Sequence, residues 1–473
     1  MKKSDELFKL FQTKLKKYST QGVAKIFSSF DRYYFKNHKN NLLTNNFVIG
    51  YSIREVYILP WLFNEIIYYS TANNDYRQPI TESEAWELYL CYFDYFNELE
   101  GEFATTNFDD QSDNIAAPII YGHLQEQAIY QISQYLFINR FNRDYYLLKD
   151  RVFGTVDLSS IIAEKYSTDL MKFIQYLSVL SFFSINDLPL NSDYYLEYIS
   201  DKEVYLSILD ELSVSYEDCR NSTNKKIFKV KPILHTSFGE YIVPSIFTMF
   251  YNVGDKLYWL LKDKLNKSDI FVHEFGNIFE NYVFDILVKQ YGENDVERIP
   301  RVEGKKSADF IIKSKNFIFL IEVKSGVARA GAKQTNLIIS DLDTYIKNNI
   351  VDAMQQLDAS ANRYKDDRTI ICLIVNFDTI FTEDSLMLEI SSKYTPIYYN
   401  LNNLVLFGID NLENFIYKYN DLDKLDNIFS KHKKNEKLSV YQLTKNCKAP
   451  QNYFYDDIFN NEVDKFIAKY KRK

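Results

Sequence analysis

From residue 1 to about 215 the apolar positions repeat at helical spacing. Leu7, Leu10, Phe11 and Leu15 recur on one face, as do Trp86, Tyr89, Tyr92, Phe93 and Phe96. Ala128 to Phe141 and Leu158 to Leu180 continue the theme, and the polar stretches Asn40 to Asn46 and Thr105 to Asn114 predict loops. No fixed-period repeat is evident, which argues against a solenoid. The texture changes near Ile227. Ile227 to Leu234 and Tyr241 to Val243 are short, β-branched and aromatic, with Gly239 between them, and predict a small β-element. A helical stretch then leads through Tyr258 to Leu265.

Beyond residue 266 the pattern becomes more specific. Asp269 is placed to cap a helix over Phe271 to Tyr291, with Phe271, Phe275, Ile278, Phe279, Tyr282 and Ile286 on one stripe and Gly292 as its stop. A basic loop, Arg298 to Ser307, precedes a short strand over Phe310 to Ile312 and a polar turn over Lys313 to Asn316. Phe317 to Val323 is almost continuously apolar, as a central strand buried on both faces requires. A helix over Leu342 to Tyr364 and a buried strand over Thr369 to Val375 follow, and residues 394–418 predict two more strands and a helix. The expected fold is therefore α+β and multidomain. Residues 1–225 form a mainly helical region, 226–265 a short β-containing connector, 266–430 an α/β domain with a central mixed sheet flanked by helices, and 431–473 a polar, Lys-rich tail.

At 473 residues the chain has room for several domains. Its 56 Lys and Arg against 64 Asp and Glu leave a net charge of −8, so any attraction to nucleic acid must come from local basic clusters. Four cysteines (Cys91, Cys219, Cys372, Cys447) without a CxxC pair, and five scattered histidines, argue against disulfides and structural zinc. The greasiest stretch, Leu170 to Ile185, is too short and too polar to cross a membrane. With no signal-peptide core at the start, a cytoplasmic location is expected. Gly331 is followed by Ala332, Lys333 and Gln334, which fails the P-loop pattern, and no Gly-x-Ser-x-Gly elbow is present.

The chemistry gathers at the end of the apolar strand. Glu322 and Lys324 are two apart and so share a face. Asp309 lies thirteen positions earlier, and a hairpin turning at Lys313 to Asn316 brings it back beside Glu322. Two converging carboxylates repel and raise each other's pKa, a conflict that a divalent cation resolves. Oxygen-only ligands favour Mg²⁺ or Mn²⁺.

These residues resemble the PD-(D/E)XK nuclease superfamily, the restriction-endonuclease-like fold. Ala308-Asp309 takes the place of its Pro-Asp, Glu322-Val323-Lys324 matches its Glu-x-Lys, and Gly276-Asn277-Ile278-Phe279-Glu280 is similar to its Gly-x-x-Phe-Glu helix. The resemblance covers at most a third of the chain. It implies that Asp309, Glu322, Glu280 and the backbone carbonyl of Val323 hold Mg²⁺ or Mn²⁺ and that Lys324 orients water. It also implies that Gln356, or Gln355 beside it, holds substrate or water. Glu274 lies on the same predicted helix as Glu280, and only the family pattern selects Glu280. Arg298, Arg301, Lys305, Lys306 and Arg329 flank the site and are expected to contact phosphates. His273 is read as a surface histidine within reach of the site.

The implied activity is metal-dependent endonuclease cleavage of DNA, as an effector in a bacterial anti-phage or restriction-type system. The helical region would sense a trigger, recruit a partner or form a homo-oligomer. The competing readings are a catalytically inactive nuclease-fold module that binds nucleic acid or protein, and an RNase toxin.

Overall fold

A computed structural model describes residues 2–37, 44–49, 52–57, 59–107, 134–223, 225–265, 270–300, 306–327, 339–378, 393–431, 437–445, 447–450 and 453–471. Its strands are β1 (Thr44–Ile49), β2 (Ser52–Tyr57), β3 (Val152–Phe153), β4 (Val156–Asp157), β5 (Ser213–Ser215), β6 (Ile233–His235), β7 (Tyr241–Ile242), β8 (Val296–Arg298), β9 (Phe310–Lys313), β10 (Phe317–Lys324), β11 (Thr369–Asn376) and β12 (Leu404–Gly408). The architecture is α+β and mostly helical, with one five-stranded mixed sheet in the carboxyl-terminal half.

That sheet runs β12-β11-β10-β9-β8. β10 to β12 are parallel, as segments joined by crossovers must be, while β8, β9 and β10 form an antiparallel meander. The alternation of side chains along β10 explains its unbroken apolar run. Phe317, Phe319 and Ile321 enter a core shared with the Ile270–Tyr291 and Ile409–Lys418 helices. Ile318 and Leu320 point the other way, into a separate core with Leu342, Ile346, Met354 and Leu357 from the crossover helices. The sheet is therefore covered on both faces.

The first 215 residues form helices at Lys3–Leu15, Thr20–Asn37, Trp61–Ser70, Glu82–Asn107, Gln134–Leu148, Leu158–Tyr166, Leu170–Asn186 and beyond, as the apolar spacing requires. Several local expectations differ. Thr44 to Asn46 belong to β1, which pairs antiparallel with β2, and Thr105 to Asn107 continue a helix, while residues 40–43 and 108–114 of the expected loops lie outside the described residues. Ile227 opens a 3₁₀ turn instead of a strand, and β6 begins only at Ile233. Arg298 closes a strand, β8, because Glu297 and Arg298 ladder onto Ile311 and Phe310. Among the described residues 394–418 supply one strand, β12, and one helix. The predicted Leu342-to-Tyr364 helix is broken by a π-helical turn at Lys347–Val351. Asp269, the expected helix cap, lies outside the described residues.

The stretch read as a polar tail carries an amphipathic helix, Ile458–Lys471. Phe466 packs on Phe183 at 5.5 Å and Phe459 on Phe141 at 5.1 Å, so the chain's end closes the helical region's core. A buried ion-pair network also ties the helical region to the sheet. Arg143 Nη1 meets Asp410 Oδ1 at 2.8 Å and Glu413 Oε1 at 3.2 Å, Arg140 Nε meets Asp410 Oδ2 at 3.1 Å, and Tyr282 donates to Glu413 at 2.6 Å.

Candidate active site

The carboxyl end of β10 opens into a cleft of about 540 Å³. Its walls come from the Ile270–Tyr291 helix on one side and the Asp352–Tyr364 helix on the other, and its floor is Asp309, Glu322, Val323 and Lys324.

The floor follows from strand register. Phe310 pairs with Ile321, so one residue further Asp309 stands opposite Glu322. The Asp309 amide donates to the Ile321 carbonyl at 3.0 Å, and its Oδ2 accepts from the Val323 amide at 2.8 Å. Lys324 donates to Glu322 Oε1 at 2.7 Å. The other oxygen, Oε2, is buried and has no hydrogen-bond partner among the described residues. Glu322 is 2% exposed. Burial, and after it the charge of Asp309, raise its carboxyl from the ordinary 4.5 to about 8, with Lys324 opposing and Glu280 adding to the rise. A carboxyl raised by burial and by a second carboxylate in a cleft makes this a candidate site.

The other expected residues fall into three groups. Glu280 lines the cleft whereas Glu274 does not, so the geometry separates two glutamates that helical spacing left equivalent. Gln356 also lines it, while Gln355 accepts a hydrogen bond from Lys306. Lys306 stands on the rim beside Ser307 and also approaches Asp352 Oδ1 at 3.6 Å.

Arg298 is placed differently from the expectation of a phosphate contact. Its guanidinium bonds Glu280 Oε1 at 3.1 Å and Asn281 Oδ1 at 2.8 Å and lies 4.0 Å over the Phe284 ring. It is occupied in holding the helix that carries Glu280. Arg301, Lys305 and Arg329 lie outside the described residues.

Two supports were invisible in the sequence. Ser360, fully buried on the Asp352–Tyr364 helix, accepts the Ala308 amide at 2.8 Å and so fixes the backbone entering Asp309. A Cβ on Gly326 would sit 2.1 Å from Asn349 Oδ1 on the π-helical turn, so a larger residue there requires the Asn349 side chain to turn away. Serine and glycine are too common for either to stand out without the fold.

Among the described residues no group of three or more His, Cys, Asp or Glu is already arranged around a metal position. The donor set nevertheless fits a hard cation. Two carboxylates are forced together, a third lines the same cleft, and one buried oxygen lacks a donor. A second cavity, of about 360 Å³, lies in the helical region, but its cations are already paired, Arg32 with Asp187 at 2.8 Å and Lys25 with Glu240 at 2.7 Å. No described helix is long and apolar enough to cross a membrane. The chain matches no family model, no curated protein and no solved structure.

Proposed function

We propose that this chain is a metal-dependent nuclease that hydrolyses phosphodiester bonds of DNA on a restriction-endonuclease-like scaffold. The observation that carries the reading is the buried, half-unsatisfied Glu322 carboxyl set against Asp309 and Lys324 at the floor of an open cleft. Asp309, Glu322, Glu280 and the Val323 carbonyl would hold Mg²⁺ or Mn²⁺. Such an ion, when bound, supplies an acidified water and offsets charge on the phosphoryl group.

The chain's own residues do the rest. The Lys324 ammonium, now on Glu322, is free to swing to the attacking water or a non-bridging oxygen once that carboxylate has another counter-charge. Gln356, on the facing wall, offers an amide that both donates and accepts and so holds water or substrate. Lys306 on the rim supplies a cation for the backbone. We read the helical region as the regulatory half. Support comes from the Arg140 and Arg143 network, which reaches Tyr282, two residues from Glu280 on the same helix.

The test is incubation of the full chain with plasmid, single-stranded DNA and RNA in Mg²⁺, Mn²⁺ or EDTA, repeated with Asp309→Ala and Lys324→Ala. Metal-dependent cutting of DNA that both variants lose supports the proposal. Retention of nucleic acid without cutting would instead mark a binding module, and preference for RNA an RNase.

A further inference from the structure

The wall of the cleft formed by the Ile270–Tyr291 helix presents Val272, His273, Gly276, Asn277 and Glu280. These positions share one helical face, and only Glu280 belongs to the cluster at the floor. His273 and Asn277 are both exposed. They are not needed by the core, which the same helix serves through Phe271, Phe275 and Phe279 on its other side.

Their arrangement is chemically specific. Asn277 Nδ2 lies 3.3 Å from His273 Nδ1. With the amide nitrogen donating, Nδ1 accepts and the ring proton sits on Nε2. The ring is thereby held as a donor. Seven residues of helix separate His273 from Glu280, about 10 Å at 1.5 Å per residue. That rise sets His273 a step along the wall from Glu280 and from the floor that Asp309 and Glu322 form. Between them the wall is low, because Gly276 has no side chain and a Cβ there would approach Ser325 Oγ to 3.3 Å. The floor is acidic and repels a phosphodiester strand, which must be held by donors away from it.

We propose that His273, oriented by Asn277, binds a backbone phosphate next to the one that is cut, so that the substrate strand lies along the Ile270–Tyr291 helix. This rests on the nuclease reading and adds the direction of the strand to it. His273 is the binding residue, and Asn277 is a positioning residue that acts through it.

The experiment measures fluorescence anisotropy of labelled single-stranded and duplex oligonucleotides with the full chain, Ca²⁺ replacing Mg²⁺ so that binding is read apart from cutting. His273→Ala weakens binding about ten- to a hundredfold, the loss of one hydrogen bond to a charged group. His273→Gln, which keeps a donor at a similar reach, recovers most of it. Asn277→Asp places a carboxylate beside the ring on the path of the strand and weakens binding by repelling the phosphate. Asn277→Ala adds nothing once His273 is already alanine, the non-additivity expected of a pair acting as one.

Affinities of His273→Ala and Asn277→Asp within twofold of the parent overturn the inference, as does a parent chain that binds neither oligonucleotide. A His273→Gln variant as weak as His273→Ala also overturns it. Failure of the nuclease reading is separable. A chain that never cuts but whose binding follows His273 loses the enzyme and keeps the phosphate site, whereas one that cuts with unchanged affinities loses only the site.

Discussion

Glu322→Gln keeps the shape of the side chain and removes its charge, so it isolates the electrostatic cost at the cleft floor. Without metal, burial and then Asp309 raise the Glu322 carboxyl from 4.5 to about 8. Well below the lower value the group is protonated both folded and unfolded and contributes no pH dependence. Between the two values the folded chain keeps a proton that the unfolded chain has released, so stability falls as pH rises. At about 1.4 kcal/mol per pH unit, the parent loses up to about 5 kcal/mol across that window. The glutamine variant has no such slope from this position, and groups away from the cleft floor cancel in the difference. Its stability relative to the parent therefore climbs between about pH 4.5 and about pH 8 in EDTA and levels off above.

Metal reverses the comparison. Mg²⁺ at a hundredfold excess over its dissociation constant adds about 2.7 kcal/mol to the parent at high pH and much less to the variant. Calorimetric melting of both chains across pH, in EDTA and in Mg²⁺, reads both effects. A difference that stays flat with pH would refute the buried-charge argument. Equal Mg²⁺ stabilisation of the two chains would refute Glu322 as a ligand.

Three further outcomes follow from the geometry. Ser360→Ala strips the buried Ala308 amide of its acceptor and lowers stability by about 1–3 kcal/mol in chemical denaturation, with a raised Mg²⁺ requirement for cleavage because Asp309 is no longer held. Gly326→Ala turns the Asn349 side chain aside and costs about 1 kcal/mol, and Asn349→Ala in the same chain removes that cost in thermal melting. Arg143→Met removes the cation that buried Glu413 shares with Asp410 and leaves Arg140 on Asp410, so thermal melting should report a loss of about 3–5 kcal/mol.

The parts legible in the sequence were those that local spacing controls. The unbroken apolar run of β10 announced burial on both faces, and the cores on either side of it, one with Phe319 and one with Leu320, are what that run requires. The hairpin length between Asp309 and Glu322 decided which carboxylates could meet, since strand pairing is one residue per residue. Spacing could not decide which side of a helix meets the cleft. Gln355 and Gln356 differ by about 100° of rotation, and only the packing of their helix on the sheet turned the second into the site. The Ile458–Lys471 helix was hidden for a related reason. Its composition is that of a solvated end, and Phe459 and Phe466 acquire meaning only when Phe141 and Phe183 are brought beside them.

The sequence by itself determined β9, β10 and β11, the carboxylate pair and its lysine, because periodicity and hairpin length act over neighbouring residues. Tertiary structure alone decided that Arg298 braces the Glu280 helix, that Ser360 holds the backbone at Ala308, and that Arg143 joins the helical region to the sheet. Each of these contacts links residues separated along the chain, and its energy depends on burial and orientation that a linear pattern does not encode.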